Sequence, residues 1–183
     1  MGSDTITEAG TAPAVEQVAE GPRTTKKTII LFSGDFDRVM AALIIANGAA
    51  AMDDEVTIFC TFWGLNILRR TKDQMDGGPL KKSFLQKAFG GMMPKGTKKL
   101  GLSKMNFAGA GAPLMRKVMR DENAMSLEEL FETAVEQGVK FVACTLTMDI
   151  LGFKPEEMID GIEYAGVAAY LGEADEANVN LFI

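Results

Sequence analysis

No histidine occurs anywhere in this chain of 183 residues. That absence excludes Ser-His-Asp and Cys-His catalysis, histidine-ligated zinc and the usual general base of neutral pH. The two cysteines, Cys60 and Cys144, are too few and too far apart to form a zinc ribbon or a CxxC redox motif. Apolar runs of the about 20 residues that cross a bilayer are missing, and no secretory signal precedes the cysteines. We therefore expect free thiols in a reducing cytoplasm, with no cofactor and no metal ion, although carboxylate-only metal binding stays open.

Charge is distributed unevenly along the chain, although its net value is only −6. Residues 1–65 carry four Lys or Arg against nine Asp or Glu, and residues 121–183 carry two against fourteen. Residues 66–120 carry thirteen against two, a net charge of +11. The negative total disfavours a nucleic-acid-binding protein. The basic segment, which is also rich in methionine, favours either an anionic partner or contact with another copy of the chain. An equally supported alternative is that the basic segment forms solvated loops beside acidic helices of the same fold.

Apolar runs and capping signals predict the order of the secondary structure. Strands are expected at residues 28–32, 55–60, 140–145, 166–170 and 179–183. Helices are expected at residues 38–52, 65–70, 80–89, 113–120, 126–137 and 155–163, with a turn at 171–175. The clearest helix start is Ser126, which Glu129 follows at the capping-box spacing. This alternation predicts an α/β fold, a three-layer sandwich around a mainly parallel five-stranded sheet.

The composition divides the chain into a leader and one domain. Residues 1–25 are rich in Ala, Thr, Glu and Gly without apolar periodicity, which predicts a disordered leader. Residues 26–183 then form a single domain, interrupted at about residues 66–120 by an irregular, basic and Met-rich segment, here called the basic excursion. Irregular segments of this length usually serve function or assembly, so we expect the basic excursion at a subunit or partner interface.

Three loops follow the carboxyl ends of the first three strands, where parallel sheets bind their ligands. The polar and aromatic candidates for a pocket in these loops are Ser33, Gly34, Asp35, Thr61, Trp63, Thr145, Thr147, Met148 and Asp149. Cys144 ends its strand at a helix start, where backbone N–H groups favour a thiolate. A small buried hydrophobe is the alternative for Cys144, and it is the preferred interpretation of Cys60. Helix capping is the simpler explanation of Asp35, and no phosphate-binding glycine motif is present.

Six segments, in this order, carry a family resemblance. They begin at residues 28, 46, 61, 102, 143 and 180 and read TIILFSGDFD, ANGAAA, TFWGLN, LSKMN, ACTLTMD and NLFI. The chain resembles the DsrE/DsrF-like sulfur-relay proteins over residues 27–183, and most closely the longer branch often labelled peroxiredoxin-like. The resemblance implies the same fold, homo-oligomeric assembly and sulfur transfer through a cysteine persulfide. It maps the sulfur-carrying cysteine onto Cys144, whereas Cys60 lies on no motif position that can be carried over.

Persulfide exchange suits a chain without histidine, because the thiolate itself is the nucleophile. The leading hypothesis is therefore an intracellular sulfur-relay protein, a candidate sulfurtransferase in which Cys144 takes sulfane sulfur from a donor protein and passes it to an acceptor. The lack of a nearby resolving cysteine argues against a disulfide reductase or thiol peroxidase. The alternative is a non-catalytic oligomeric adaptor that binds partners through the basic excursion. Docking of that segment on a membrane surface is the lesser alternative, since a regular amphipathic period is missing.

Overall fold

The computed structural model describes residues 25–71, 74 and 82–183. The strands in these ranges form one sheet and are β1 Lys26–Leu31, β2 Glu55–Cys60, β3 Lys140–Cys144, β4 Glu163–Ala165 and β5 Val179–Phe182. Their order is β4-β3-β2-β1-β5, and every pairing is parallel. The predicted α/β fold with a parallel five-stranded sheet is therefore confirmed. Apart from Thr25, the predicted leader lies outside the described residues.

The α-helices of the described ranges are α1 Phe36–Ala50, α2 Phe84–Met92, α3 Gly111–Asp121, α4 Leu127–Glu136, α5 Thr145–Leu151 and α6 Val167–Asp175. Helix α4 begins at the predicted capping box. The Glu129 N–H donates to the Ser126 hydroxyl at 3.2 Å, and the Ser126 N–H donates to the Glu129 carboxylate at 2.7 Å. No helix in the described part of the chain has both the length and the apolar character to cross a membrane.

Two layers of helices cover the sheet unequally. Helices α1 and α4 pack on one face, here called the core face, where strand residues such as Ile29, Ile58 and Phe141 join the main hydrophobic cluster. Side chains alternate along a strand, so their neighbours Phe59 and Val142 point to the other side, here called the second face. Helix α6 covers the second face because the chain crosses the whole sheet between β4 and β5.

Three predicted elements in the last third of the chain are wrong. Residues 167–170 of the predicted strand and residues 171–175, predicted as a turn, belong to α6, and Gly166 precedes it. The α6 segment VAAYLGEAD contains four strong helix formers in Ala and Leu. The fourth strand is instead the three-residue β4. The helix predicted at 155–163 is only a 3₁₀ turn at Pro155–Glu157. Backbone hydrogen bonds draw the following residues away from a helix, since the Ile159 N–H donates to Leu68 O at 2.9 Å.

The basic excursion is less irregular than predicted. The helix expected at residues 80–89 is α2, although residues 80 and 81 lie outside the described ranges, and the helix expected at 113–120 is α3. The helix expected at 65–70 is a 3₁₀ segment, Phe62–Leu68. Part of the excursion contacts acidic groups of its own chain, because the Thr97 hydroxyl donates to the Glu128 carboxylate at 3.0 Å. This contact favours the alternative of basic loops beside acidic helices for that portion.

Candidate functional site

Both cysteines lie at the carboxyl edge of the sheet, but on opposite faces. Cys60 is the last residue of β2 and Cys144 the last residue of β3. The register pairs Cys60 with Ala143, so Cys144 lies one position further along. Because side chains alternate, the Cys60 thiol points to the core face and the Cys144 thiol to the second face. Both thiols are free.

Cys60 is sealed inside the main core. Its exposed fraction is 0%, and burial raises the pKa of its thiol far above the ordinary value, because a buried thiolate loses its hydration. The thiolate is the form of cysteine that attacks electrophiles and binds sulfur. Cys60 therefore packs as a small hydrophobe, in agreement with the apolar pattern of its strand.

Cys144 occupies a strand-to-helix junction. It is 5% exposed, and α5 begins at the next residue, so Cys144 is the residue that precedes the first helical turn. Its hydrophobic cluster contains Phe59, Val142 and Tyr170. The helix start predicted at Cys144 is confirmed, but the following residues, 145–149, which were expected to form a loop, already belong to α5.

The predicted pocket residues separate into two groups. Ser33, Gly34, Asp35 and Trp63 line a cleft of about 470 Å³ at the carboxyl ends of β1 and β2. The second group lies on or against α5 and does not line this cleft. In that group Thr147 and Met148 are buried, Thr145 and Asp149 are exposed, and the hydroxyl oxygens of Thr61 and Thr147 lie 2.8 Å apart. Cys144 precedes α5 directly but clusters on the second face, whereas Met148 belongs to the core-face cluster.

The polar groups of the cleft bond mainly to one another. The Ser33 hydroxyl donates to the Asp35 carboxylate at 3.0 Å and accepts the Asp35 N–H at 3.1 Å, while Arg38 Nε lies 3.7 Å from the same carboxylate. Gly34 permits the close approach of two loops, since a Cβ there would lie 2.6 Å from the Trp63 carbonyl oxygen. Asp35 is the residue before α1, but its side chain makes no capping hydrogen bond to the helix. The helix-capping role expected for Asp35 is therefore wrong.

Sequence reasoning missed other residues at this edge. Asn66 and Arg38 also line the cleft, and Asn66 closes the TFWGLN segment, which was a usable signal. Large apolar side chains are exposed close to the strand ends, among them Phe62, Trp63, Leu146, Ile150 and Phe182. The ring centroid of Phe32 lies 5.2 Å from that of Phe62 and 5.8 Å from that of Phe182. Exposed apolar clusters of this kind mark interaction surfaces. Among the described residues, no acidic and cysteine side chains group closely enough to hold a metal ion.

Comparison with known proteins agrees with the motifs. The family model described as "DsrE/DsrF/DrsH-like family" matches residues 23–182. "Uncharacterized protein YrkE" of Bacillus subtilis is 60% identical over 161 residues, covering 88% of this chain and 98% of that protein. "Sulfur carrier protein DsrE2" of Allochromatium vinosum is 35% identical over 158 residues, covering 86% and 98%. Among solved structures, the ychN protein from E. coli is similar with a TM-score of 0.49 at 12% identity, over 87% of this chain and 99% of that one. The chain therefore belongs to the DsrE/DsrF/DrsH-like family of sulfur-relay proteins.

Proposed function

We propose that this protein is a sulfur carrier that holds sulfane sulfur as a persulfide on Cys144. The observation that carries the proposal is the placement of the two thiols. Cys144 ends a strand at the sheet edge where α/β proteins bind their ligands, whereas Cys60 is enclosed in the core. The relative named a sulfur carrier protein, at 35% identity, supports the same role.

The exchange needs only a thiolate at each end. The Cys144 thiolate attacks the outer sulfur of a donor persulfide, the S–S bond of the donor breaks, and the donor leaves as a thiolate. The new S–S bond leaves a persulfide on Cys144, and the same step in reverse passes the sulfur to an acceptor thiolate. No net oxidant or reductant is consumed, and no histidine is needed. We expect this chemistry in the cytoplasm, where free thiols persist.

The opposite placement of the cysteines argues against dithiol chemistry. A reductase or thiol peroxidase forms a disulfide between its reacting and resolving cysteines. Cys60 and Cys144 point to opposite faces of the same sheet, so their side chains cannot meet while the sheet is intact. The carrier proposal requires only one reachable thiol.

The test is the intact mass of the purified protein after treatment with a persulfide donor. We expect wild type and Cys60→Ser to gain the mass of one sulfur atom and Cys144→Ser to gain none. Cys60→Ser is the matched control, since it also removes one thiol at the end of a neighbouring strand. Sulfur uptake by Cys144→Ser, or none by the wild type, contradicts the proposal.

We also propose that the carrier assembles with further copies or with donor and acceptor proteins. The observation behind this is the exposure of large apolar side chains near the strand ends, such as Leu146 at 62% and Phe182 at 69%. The alternative function, a non-catalytic adaptor, shares this surface but requires no persulfide. Size-exclusion chromatography across salt concentrations tests assembly, and a monomer under every condition contradicts self-association.

A further inference from the structure

Helix α6 packs on the same face of the sheet as the thiol of Cys144. The cluster around Cys144 contains Phe59 and Val142 from neighbouring strand positions, with Ile30 and Ala165 packed against it. Within the described ranges, the helical side chains of this cluster are those of Tyr170 and Ala174, both on α6. Cys144 is only 5% exposed, so little of its surface is open to a donor persulfide while this cluster is closed.

The one buried side chain of α6 is that of Tyr170, while Ala174 is partly buried and Glu173 pairs with Lys140 at 3.3 Å. Val167 and Leu171 of the same helix are 57% and 53% exposed. The Tyr170 ring centroid lies 4.9 Å from that of Phe59, and its hydroxyl lies 3.3 Å from the Thr28 hydroxyl. Burial of a single aromatic ring is a small share of the stability of a domain, so such a segment opens locally far more often than the whole domain unfolds.

The first helix of the chain shows the contrast. Helix α1 buries six side chains against the core face, namely Phe36, Val39, Ala42, Leu43, Ala46 and Ala49. Displacing α1 would open the main core, whereas displacing α6 would expose only the small cluster of the second face. Of these two helical layers, the one over Cys144 is the one that can open while the core stays closed.

We propose that Tyr170 is a positioning residue that controls access to Cys144, and that α6 opens locally before sulfur is exchanged. The purpose of the opening rests on the proposed function, but the opening itself does not. In the closed state the ring of Tyr170 shields the thiol or persulfide from solvent. In the open state α6 leaves the second face, and the Cys144 sulfur becomes available for attack by a donor or acceptor thiolate.

Cys60 provides an internal reference for the experiment. It is 0% exposed on the core face, so it reacts with an alkylating agent only when the core opens. Local opening of α6 exposes Cys144 alone, whereas global unfolding exposes both thiols. A Cys144 rate well above the Cys60 rate in the same molecule therefore shows that Cys144 is reached without global unfolding.

The experiment measures iodoacetamide labelling of each cysteine by mass spectrometry in wild type and three variants. Tyr170→Ala should label Cys144 about a hundredfold faster, the factor that corresponds to losing one buried aromatic ring. Cys60 should stay much slower than Cys144 in every variant, because it reacts only through global unfolding. Tyr170→Phe keeps the ring and loses only the hydroxyl contact, so its rate should rise about threefold. Leu171→Ala is the control, because it removes an exposed side chain from the same helix, and both rates should stay as in the wild type.

An unchanged Cys144 rate in Tyr170→Ala would overturn the proposal, and so would a Cys144 rate no faster than the Cys60 rate in the wild type. Hydrogen exchange of the wild-type protein gives a second test that needs no substitution. The amides of α6 should exchange much faster than those of α1, with little dependence on denaturant, as local opening requires. Equal protection of the two helices would overturn the proposal. Iodoacetamide carries no sulfane sulfur, so these results are independent of whether Cys144 forms a persulfide.

Discussion

Replacing Glu157 with glutamine removes the carboxylate of a buried ion cluster. The side chains of Glu157, Lys82 and Arg69 are 6%, 8% and 1% exposed. The Glu157 carboxylate pairs with the Lys82 ammonium, lies 3.9 Å from the Arg69 guanidinium, and accepts the Lys154 N–H at 3.0 Å. Both cations also lie over the ring of Phe153: Arg69 Cζ is 4.1 Å and Lys82 Nζ 5.8 Å from the ring centroid. One carboxylate therefore balances two buried cations that join the basic excursion to the segment before β4.

The expected loss follows from the charges that remain. Burial lowers the pKa of Arg69, and the Glu157 carboxylate opposes that shift, so its removal leaves the guanidinium without its compensating charge. Breaking a buried ion pair by removing one partner costs about 3–5 kcal/mol. Lys82 is the less enclosed cation and can move toward water, which places the expected cost near about 3 kcal/mol. That is a large part of the about 5–15 kcal/mol by which domains are stable.

Urea unfolding followed by circular dichroism measures this loss against a matched control. Asp160→Asn also removes one carboxylate from a neighbouring ion pair, with Arg70, but the Asp160 side chain is 94% exposed. Exposed pairs contribute about 1 kcal/mol or less, so this control should unfold close to the wild-type midpoint. If Glu157→Gln unfolds within about 1 kcal/mol of Asp160→Asn, the cluster is not balanced as described.

Two glycine substitutions and one pH series extend these tests. Gly48→Ala should raise the free energy of unfolding by about 0.5–1 kcal/mol, since Gly48 is exposed inside α1 with no atom near its Cβ position. Gly64→Ala should cost about 3 kcal/mol or more, because its Cβ would lie 2.0 Å from the Leu31 carbonyl oxygen. Burial raises the pKa of Asp37, but hydrogen bonds from the Ser103 hydroxyl and N–H outweigh burial and hold that pKa below its ordinary value. At neutral pH the wild type should therefore have a higher free energy of unfolding than Asp37→Asn. That difference should shrink as the pH falls below the ordinary pKa of an aspartate.

The sheet was predictable from sequence where its strands are long and buried. The segments that form β1 and β2 are near-continuous apolar runs, which is the pattern of a strand covered on both faces. The three residues of β4 carry no such pattern, and their pairing with β3 is visible only in the folded chain. The segment that became α6 contains Val167 and Tyr170, which favour strands, and its helix shows how weak such propensities are.

The sequence predicted at which edge of the sheet the candidate site lies, but not on which face of the sheet each thiol lies. Both cysteines end strands, and the sequence suffices to place them at the same edge. Whether the two thiols lie on opposite faces depends on the register between β2 and β3, and a shift of one residue would put both on the same face. The burial of Arg69 was similarly not predictable, because its buried partner Glu157 lies far along the chain. Contacts between distant parts of the chain determine the face of each thiol and the burial of Arg69, and local sequence patterns do not predict those contacts.

A single reachable thiol also limits what a persulfide on Cys144 can become. The only other thiol of the chain, Cys60, lies on the core face, so it cannot attack the persulfide while the sheet is intact. An internal attack on the Cys144 sulfur would form a disulfide and release the carried sulfur as hydrosulfide. Without a second thiol on the same face, a sulfur held on Cys144 as proposed would stay until an external thiolate arrives. This property distinguishes a carrier from an enzyme that releases sulfide.

Adding a second thiol beside Cys144 should therefore convert retention into release. Ala165 is the register partner of Cys144 on β4 and lies in the same cluster. Neighbouring strands are about 4.8 Å apart, within the roughly 4.4–6.8 Å between Cα atoms that a disulfide spans. After persulfide loading, Ala165→Cys should release hydrosulfide and form one disulfide, as measured by a sulfide assay and intact mass. Tyr164→Cys is the control, because it places a thiol on the same strand toward the opposite face, and it should retain its sulfur as the wild type does. Retention by Ala165→Cys would show that the carried sulfur is not on Cys144 or that the second face is not arranged as described.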